Sequence, residues 1–163
     1  MFINVNRKKK LDHFETSPEL AEIKVVYKSK QKCRVKVVSS RDAFNILFPL
    51  YDIDTIEYQE QFFLLLLNKA NDILGWIKLS SGGLTGTVVD PRMVFALALQ
   101  TSACGIILSH NHPSGNLKPS ESDIELTKKI NNSGKMLEIN LLDHLIISPE
   151  EKYYSFADEG SLS

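Results

Sequence analysis

The sequence predicts an α/β (α+β) fold in which helices flank a mixed central β-sheet, in a single domain with a basic N-terminal hairpin. Three observations predict it. Short apolar segments of strand length alternate with amphipathic segments of helix length. The run at residues 62–67 is apolar on both faces, which is typical of a central strand covered on two sides. A chain of 163 residues, 43% of them hydrophobic, has the size and composition of one globular domain.

Residues 1–38 are predicted to be a basic N-terminal arm followed by a β-hairpin. Residues 1–17 are expected to be a loose arm, and residues 22–27 and 33–38 are predicted strands. Residues 1–41 contain eleven Lys or Arg against four acidic residues, although the whole chain has a net charge of −1. Five basic residues alternate, and an extended segment would place them on one face: Lys28, Lys30, Lys32, Arg34 and Lys36.

This basic face has two interpretations. Lysine on an edge strand prevents edge-to-edge pairing, and this interpretation is favoured. A basic segment attached to an acidic remainder can instead contact DNA through its phosphates. Tyr27 is the one aromatic residue placed among these charges for base stacking, which weakens the DNA interpretation.

Residues 39–163 are predicted to form the main domain, in which strands and helices alternate. Each predicted helix begins at a capping residue: Ser39 or Ser40, Asp90 followed by Pro91, and Ser120 or Ser122. The predicted helix stops are Pro49, Gly105 and Gly134. The predicted strands lie at residues 62–67, 73–80, 105–108, 136–142 and 145–148.

The residues that follow the predicted strand at 105–108 carry candidate metal ligands. His110 and His112 are two apart, so their imidazoles project from the same face of a strand. Asp123 falls in the first turn of the next predicted helix, where exposed N–H groups favour a carboxylate. A strand end and a helix start can therefore bring two imidazoles and one carboxylate together.

Two imidazoles and one carboxylate are the ligand set of a catalytic zinc site. Three protein ligands leave a fourth position for water, whose pKa the ion lowers to about 7. With only two cysteines, the chain does not have the composition of a cysteine-rich structural site. The alternative is a polar loop whose two histidines merely cap a strand, but the order of loop, Ser120 and Asp123 favours the metal site.

The spacing His110-x-His112, seven residues, then Ser120-x-x-Asp123 resembles the metal-binding signature of the JAMM (MPN+, JAB) metallopeptidase-like domains. Two further segments resemble the RadC branch: His-Asn-His-Pro-Ser-Gly at 110–115 and Leu-Asp-His at 142–144. The resemblance extends from about residue 60 to the C-terminus. It implies a JAB/MPN-like fold for residues 39–163, with zinc as the cofactor.

The resemblance also implies the roles of two residues outside the ligand set. In JAMM-like domains a glutamate at the head of an upstream apolar strand serves as general base, and Glu60 occupies the matching place. Glu57, three residues earlier, is the second candidate. In the family pattern Ser120 helps to stabilise the oxyanion, and its hydroxyl is also a candidate helix cap.

Four polar residues near the motif have open roles. Ser109 and Asn111 flank the ligands and can orient the imidazoles. Asp143 and His144 are expected to form a hydrogen-bonded pair at a strand junction close to the site, and His144 is not expected to be a fourth ligand.

These observations lead to one preferred function and two alternatives. The preferred function is a zinc-dependent metallohydrolase that cleaves an amide, peptide or isopeptide bond. The alternatives are a DNA-associated repair or accessory protein that binds DNA through the basic N-terminal face, and a metal-dependent nuclease. The first residues lack the apolar segment of a signal peptide and no run is long enough to span a membrane, so a cytoplasmic location is expected.

Overall fold

The computed structural model describes residues 4–6, 22–24, 27, 35–82 and 89–162. Its strands are β1 (Asn4–Asn6), β2 (Glu22–Lys24), β3 (Gln61–Leu67), β4 (Ile73–Ser81), β5 (Gly105–Asn111), β6 (Asn140–Ile147) and β7 (Tyr153–Ser155). Its α-helices are α1 (Ser40–Leu47), α2 (Pro91–Gln100) and α3 (Glu121–Met136), and a short 3-10 helix covers Phe48–Leu50.

Five strands form one mixed sheet in the order β4-β3-β5-β6-β7. The central strand β3 is antiparallel to both β4 and β5, whereas β5 and β6 are parallel and α3 connects them. β7 closes the other edge antiparallel to β6. The predicted fold class, a mixed sheet flanked by helices, is confirmed.

Helices cover both faces of this sheet because its central strands are apolar on both faces. Every residue of β3 is buried, as the run at residues 62–67 predicts. One core cluster joins alternate strand residues to α2 and α3 and includes Leu64, Leu66, Ile106, Leu108, Val94 and Ile130. The other joins the opposite face to α1 and includes Phe63, Leu65, Ile107, Leu145, Ala43 and Leu47. The two cores hold the ends of β3 and β5 in fixed register.

All three helices begin where the capping residues predict. Ser39 accepts a hydrogen bond from the Asp42 N–H, and Asp90 accepts one from the Arg92 N–H. Ser120 caps α3. No helix of the described residues is both long enough and apolar enough to cross a membrane.

Two predicted helix stops were wrong. α2 ends at Gln100, and Gly105 is instead the first residue of β5, where a Cβ would lie 2.8 Å from Leu142 Cδ1. Gly134 lies inside α3, which continues to Met136. The Ile139 carbonyl oxygen approaches Gly134 so closely that a Cβ would lie 2.3 Å from it, so close packing explains this glycine.

The segment at residues 136–148 also differs from the prediction. Two strands were expected, yet Met136 ends α3 and a single strand, β6, runs through Asp143 and His144. Both of these polar side chains are buried and hydrogen-bonded, which lets the strand continue through them.

Most of the predicted N-terminal hairpin lies outside the described residues. Within the described part, β2 pairs with β1, so the prediction of a loose arm was wrong for residues 4–6. The Ile73 N–H donates to the Val35 carbonyl, and the Val37 N–H donates to the Asn71 carbonyl. The described end of the second predicted strand therefore lies beside the start of β4. Four members of the basic face, Lys28, Lys30, Lys32 and Arg34, lie outside the described residues.

Candidate metal centre

β5 delivers the two histidines to the end of the sheet. His110 is 3% exposed and lies opposite Phe62 of β3, with their rings stacked at 5.5 Å. His112 follows the strand, and its N–H donates to the Ile147 carbonyl of β6 at 2.9 Å. The flanking strands thus fix the backbone on both sides of the pair.

The N-terminus of α3 delivers the carboxylate. The Ser120 side chain accepts from the Asp123 N–H, and the Asp123 side chain accepts from the Ser120 N–H at 2.8 Å, which forms a capping box. The Ser120 hydroxyl also donates to Asp123 Oδ2 at 2.6 Å. These contacts hold the Asp123 carboxylate beside its own helix terminus and aim its other oxygen at the sheet.

The three side chains converge on one point. One ligand atom from each of His110, His112 and Asp123 lies within 4.8 Å of the other two. The two Nε2 atoms are 3.0 Å apart, His110 Nε2 is 3.1 Å from Asp123 Oδ1, and His112 Nε2 is 3.4 Å from Asp123 Oδ2. The cluster predicted from the spacing is therefore assembled in the fold.

The electrostatics of the cluster favour a cation. Burial opposes ionisation of Asp123, but hydrogen bonds from His110 and His112 outweigh it and hold the pKa of this carboxyl far below its ordinary value. Burial lowers the pKa of His112, but the contacts with Asp123 and the Asn116 carbonyl raise it above its ordinary value overall. The Asp123 carboxylate therefore stays charged and attracts positive charge.

This donor set fits a zinc ion. A carbonyl oxygen can only accept, so the contact of 2.6 Å between His112 Nδ1 and the Asn116 carbonyl requires His112 to donate there. Nε2, which faces the Asp123 carboxylate, is therefore the nitrogen that His112 can offer to an ion in place of a proton. Two imidazole nitrogens and one carboxylate oxygen match the three-ligand zinc sites that keep one position open.

Glu60 lies at the edge of the cluster, immediately before β3. Its carbonyl accepts from the Gly82 N–H at 2.9 Å, and its charge contributes to the raised pKa of His112. Glu57 is exposed in the preceding turn. The register of β3 thus brings Glu60 to the same end of the sheet as the histidines.

The family model described as a RadC-like JAB domain matches residues 37–161. The chain belongs to this family. A UPF0758 protein of Flavobacterium johnsoniae is 50% identical over 125 residues, which cover 77% of this chain and 53% of that protein. A UPF0758 protein of Porphyromonas gingivalis is 42% identical over 130 residues, or 79% of this chain and 56% of that protein. A UPF0758 protein of Methanosarcina barkeri is 41% identical over 125 residues, or 77% of this chain and 53% of that protein.

The chain spans about half the length of the curated relatives it matches. The resemblance to the RadC branch is confirmed by the family model and by these identities.

Asn111 and Ser109 do not contact the imidazoles of this RadC-like JAB domain. The Asn111 amide donates to the carbonyls of Ile56 and Gln59 at 2.8 and 3.1 Å, and its oxygen accepts from the Gln61 N–H at 2.7 Å. Ser109 contacts the Tyr51 hydroxyl at 2.7 Å. The sequence motif therefore alternates: its histidines face the candidate metal cluster, and Asn111 holds the backbone on both sides of Glu60.

His144 lies behind His110 rather than in the ligand set. Its Nε2 is 2.9 Å from His110 Nδ1, and its Nδ1 is 2.7 Å from the Thr127 hydroxyl. It is fully buried and stacks on Phe156 at 5.1 Å. Burial, with the neighbouring His110 charge, lowers the pKa of His144 well below its ordinary value. Both ring nitrogens of His144 therefore contact protein groups.

Thr127 is the member of this group that the sequence interpretation missed. It follows Asp123 by four residues, and this spacing on a helix places the two on one face. The helical spacing was therefore the available signal.

The Asp143 carboxylate is buried and accepts three hydrogen bonds from neighbouring groups. It accepts from the His144 N–H at 2.7 Å, from the Ala157 N–H at 3.0 Å and from the Ser155 hydroxyl at 2.7 Å. Burial raises the pKa of Asp143 although these hydrogen bonds lower it. These contacts attach the segment after β7 to the sheet and place Phe156 against His144.

Among the described residues, one cluster of His, Cys, Asp and Glu has metal-site geometry. Nucleases that use two ions about 4 Å apart need a second ligand set. The described part of the chain therefore does not favour the nuclease interpretation, and the DNA contact through the basic N-terminal segment stays a prediction.

Proposed function

We propose that this chain is a zinc-dependent hydrolase of the metallopeptidase type, which cleaves an amide, peptide or isopeptide bond. His110, His112 and Asp123 are the residues that would hold the ion. Zinc supplies Lewis-acid activation of water and of the substrate carbonyl when it is bound. The proposal is carried by the convergence of the three ligand atoms within 4.8 Å of one another.

In this proposal Glu60 is the general base and acid. Its carboxylate takes a proton from the attacking water and returns it to the departing amine, because cleavage of an amide requires both transfers. Two observations support this role: the pairing of Phe62 with His110 brings the start of β3 to the site, and the Glu60 charge acts on His112.

Ser120 has a first role in holding the carboxylate ligand. Its hydroxyl hydrogen points at Asp123 Oδ2, 2.6 Å away, so it is not directed at a substrate in this arrangement. Donation to a substrate oxyanion requires the hydroxyl to rotate away from Asp123. The capping box keeps its second contact during that rotation, since the Ser120 N–H also donates to Asp123 Oδ2.

The partial burial of the site suits hydrolysis of an external substrate. The side chains of His112 and Asp123 are 14% and 15% exposed, whereas that of His110 is 4% exposed. One side of the cluster is therefore open for a scissile bond, and the other side is closed by β3 and β6. A closed inner wall strengthens charge interactions at the reacting atoms.

The test compares Glu60→Gln with Glu57→Gln. Both substitutions remove one carboxylate charge from the same segment, but only Glu60 lies at the cluster. Zinc content and cleavage of a fluorogenic peptide and isopeptide library are measured for both. Glu60→Gln should keep zinc and lose at least about a hundredfold in rate, the lower range for acid–base catalysis. Glu57→Gln should retain wild-type rates.

Equal cleavage rates in the two variants would rule out Glu60 as the base. If wild-type protein loaded with zinc cleaves no member of either library, the hydrolase proposal for this bond class fails.

A further inference from the structure

A buried chain of three hydrogen bonds joins the main chain of Asp123 to the ring of His110. The Thr127 hydroxyl lies 2.6 Å from the Asp123 carbonyl oxygen and 2.7 Å from His144 Nδ1. His144 Nε2 lies 2.9 Å from His110 Nδ1. Thr127 and His144 are both buried, at 1% and 0% exposure, so bulk water does not compete for these contacts.

The Asp123 carbonyl, at one end of this series of hydrogen bonds, fixes which atom donates and which accepts in all three. A carbonyl oxygen can only accept, so the single hydroxyl hydrogen of Thr127 is used on Asp123. The Thr127 oxygen must then accept from His144, which places a hydrogen on His144 Nδ1. A neutral imidazole with Nδ1–H has a bare Nε2, and that atom accepts from His110 Nδ1–H.

We propose that His144 and Thr127 are positioning residues that hold His110 as its Nδ1–H tautomer, with the Nε2 lone pair directed at the ion site. His110 then matches His112, whose Nδ1–H is fixed by the Asn116 carbonyl. Asp123 acts twice, through its carboxylate in the cluster and through its carbonyl behind the cluster. The ligand role of Nε2 rests on the proposed function, whereas the proton on His110 Nδ1 belongs to the metal-free protein as well.

A purely structural role for His144 makes a different prediction. Phe156 stacks on its ring and Phe62 lies 5.6 Å away, so the pocket would also accept an apolar ring or chain. Packing alone needs the shape of His144 but not its two nitrogen contacts. The Thr127 hydroxyl separates the two roles, because Thr127→Val removes the hydrogen bond at nearly constant volume and Thr127→Ser keeps the hydroxyl.

The experiment reads the ring nitrogens directly. Long-range ¹H–¹⁵N correlation spectra of the full, metal-free, ¹⁵N-labelled chain are recorded at about pH 8, above the ordinary histidine pKa of about 6.5. His144 should show Nδ1 protonated and Nε2 bare, and His110 should show Nδ1 protonated. Thr127→Val should leave His144 and His110 as tautomer mixtures, and Thr127→Ser should restore the wild-type pattern.

Zinc affinity is measured in the same variants by competition with a chromophoric chelator. Thr127→Val should bind zinc about tenfold more weakly, the lower range for losing an outer hydrogen-bond partner behind a ligating histidine, and Thr127→Ser should recover the affinity. A His110 with bare Nδ1, or a His144 with protonated Nε2, in the wild type would overturn the proposal. Unchanged tautomers and a zinc affinity within twofold in Thr127→Val would overturn it as well.

A second pair keeps the test valid if Thr127→Val unfolds. His144→Gln retains a side-chain acceptor for His110, and His144→Leu does not. Only His144→Gln should preserve the His110 tautomer and zinc binding, and loss or retention in both variants contradicts the proposal. Intact tautomers in a chain that cleaves nothing would refute the hydrolase and leave the positioning role in place.

Discussion

Asn111 offers the sharpest test of how the fold holds Glu60. It lies between the two candidate histidine ligands in sequence, yet its fully buried side chain makes its hydrogen bonds elsewhere. It makes three hydrogen bonds to the segment that contains Glu60: to the carbonyls of Ile56 and Gln59, and from the N–H of Gln61. Asn111→Ala removes all three and leaves buried backbone groups without these partners.

The size of the effect follows from these contacts. A typical buried hydrogen bond contributes about 1 kcal/mol net, so the loss of three should lower the free energy of unfolding by about 3 kcal/mol. Ser109→Ala, two residues earlier on the same strand, removes one contact with the Tyr51 hydroxyl and should cost about 1 kcal/mol. The two variants therefore differ by about 2 kcal/mol, which urea denaturation resolves.

The assay combines urea denaturation of the metal-free protein with zinc binding and hydrolysis of the zinc-loaded protein. Asn111→Ala should still bind zinc, because His110 and His112 keep their own contacts. Its rate of hydrolysis should fall much further than that of Ser109→Ala, because the backbone on both sides of Glu60 is released. Equal stability losses in the two variants, or full hydrolytic rates in Asn111→Ala, would refute this explanation.

Two further predictions test the packing and the electrostatics. Gly134→Ala should cost about 1–3 kcal/mol of unfolding free energy, because its Cβ would lie 2.3 Å from the Ile139 carbonyl oxygen, whereas Gly75→Ala has no atom within 4 Å and should be nearly neutral by thermal unfolding. Burial raises the pKa of Asp143 above its unfolded value of about 3.9, which means that the fold favours the neutral carboxyl group. The neutral group therefore contributes to stability at lower pH, and this contribution is lost as the pH rises through the folded pKa. Urea titrations from about pH 4 upward should therefore show Asp143→Asn gaining on the wild type as pH rises, and parallel curves would contradict this.

Much of the fold follows from local sequence signals. Capping residues predicted the starts of the three helices, and the doubly apolar run predicted the buried central strand β3. Such signals act over a few residues, so they survive in any tertiary context. The candidate ligand set is also a local signal, because His110 on β5 and His112, just past its end, are two residues apart and so share a face.

The errors came from long-range contacts that local patterns do not contain. Gly134 has the sequence appearance of a helix stop, but it is required by the approach of Ile139 from beyond the helix. Asp143 and His144 look like a break between strands because buried polar residues are costly. Their partners, Ser155 and Thr127, lie on other elements and remove that cost.

The role of Asn111 was also out of reach of the sequence. Its partners are backbone groups of a turn more than 50 residues earlier, and backbone groups carry no sequence signal. The motif suggested that Asn111 orients the imidazoles, whereas the structure directs it to the Glu60 segment.

The central claim, that two imidazoles and one carboxylate hold a single ion, is tested most directly by X-ray absorption spectroscopy of the zinc-loaded chain. We expect a nearest shell of nitrogen and oxygen atoms at about 2.0–2.1 Å from the zinc, with multiple scattering from two imidazoles. A sulfur shell at about 2.3 Å, or a spectrum without imidazole scattering, would contradict it.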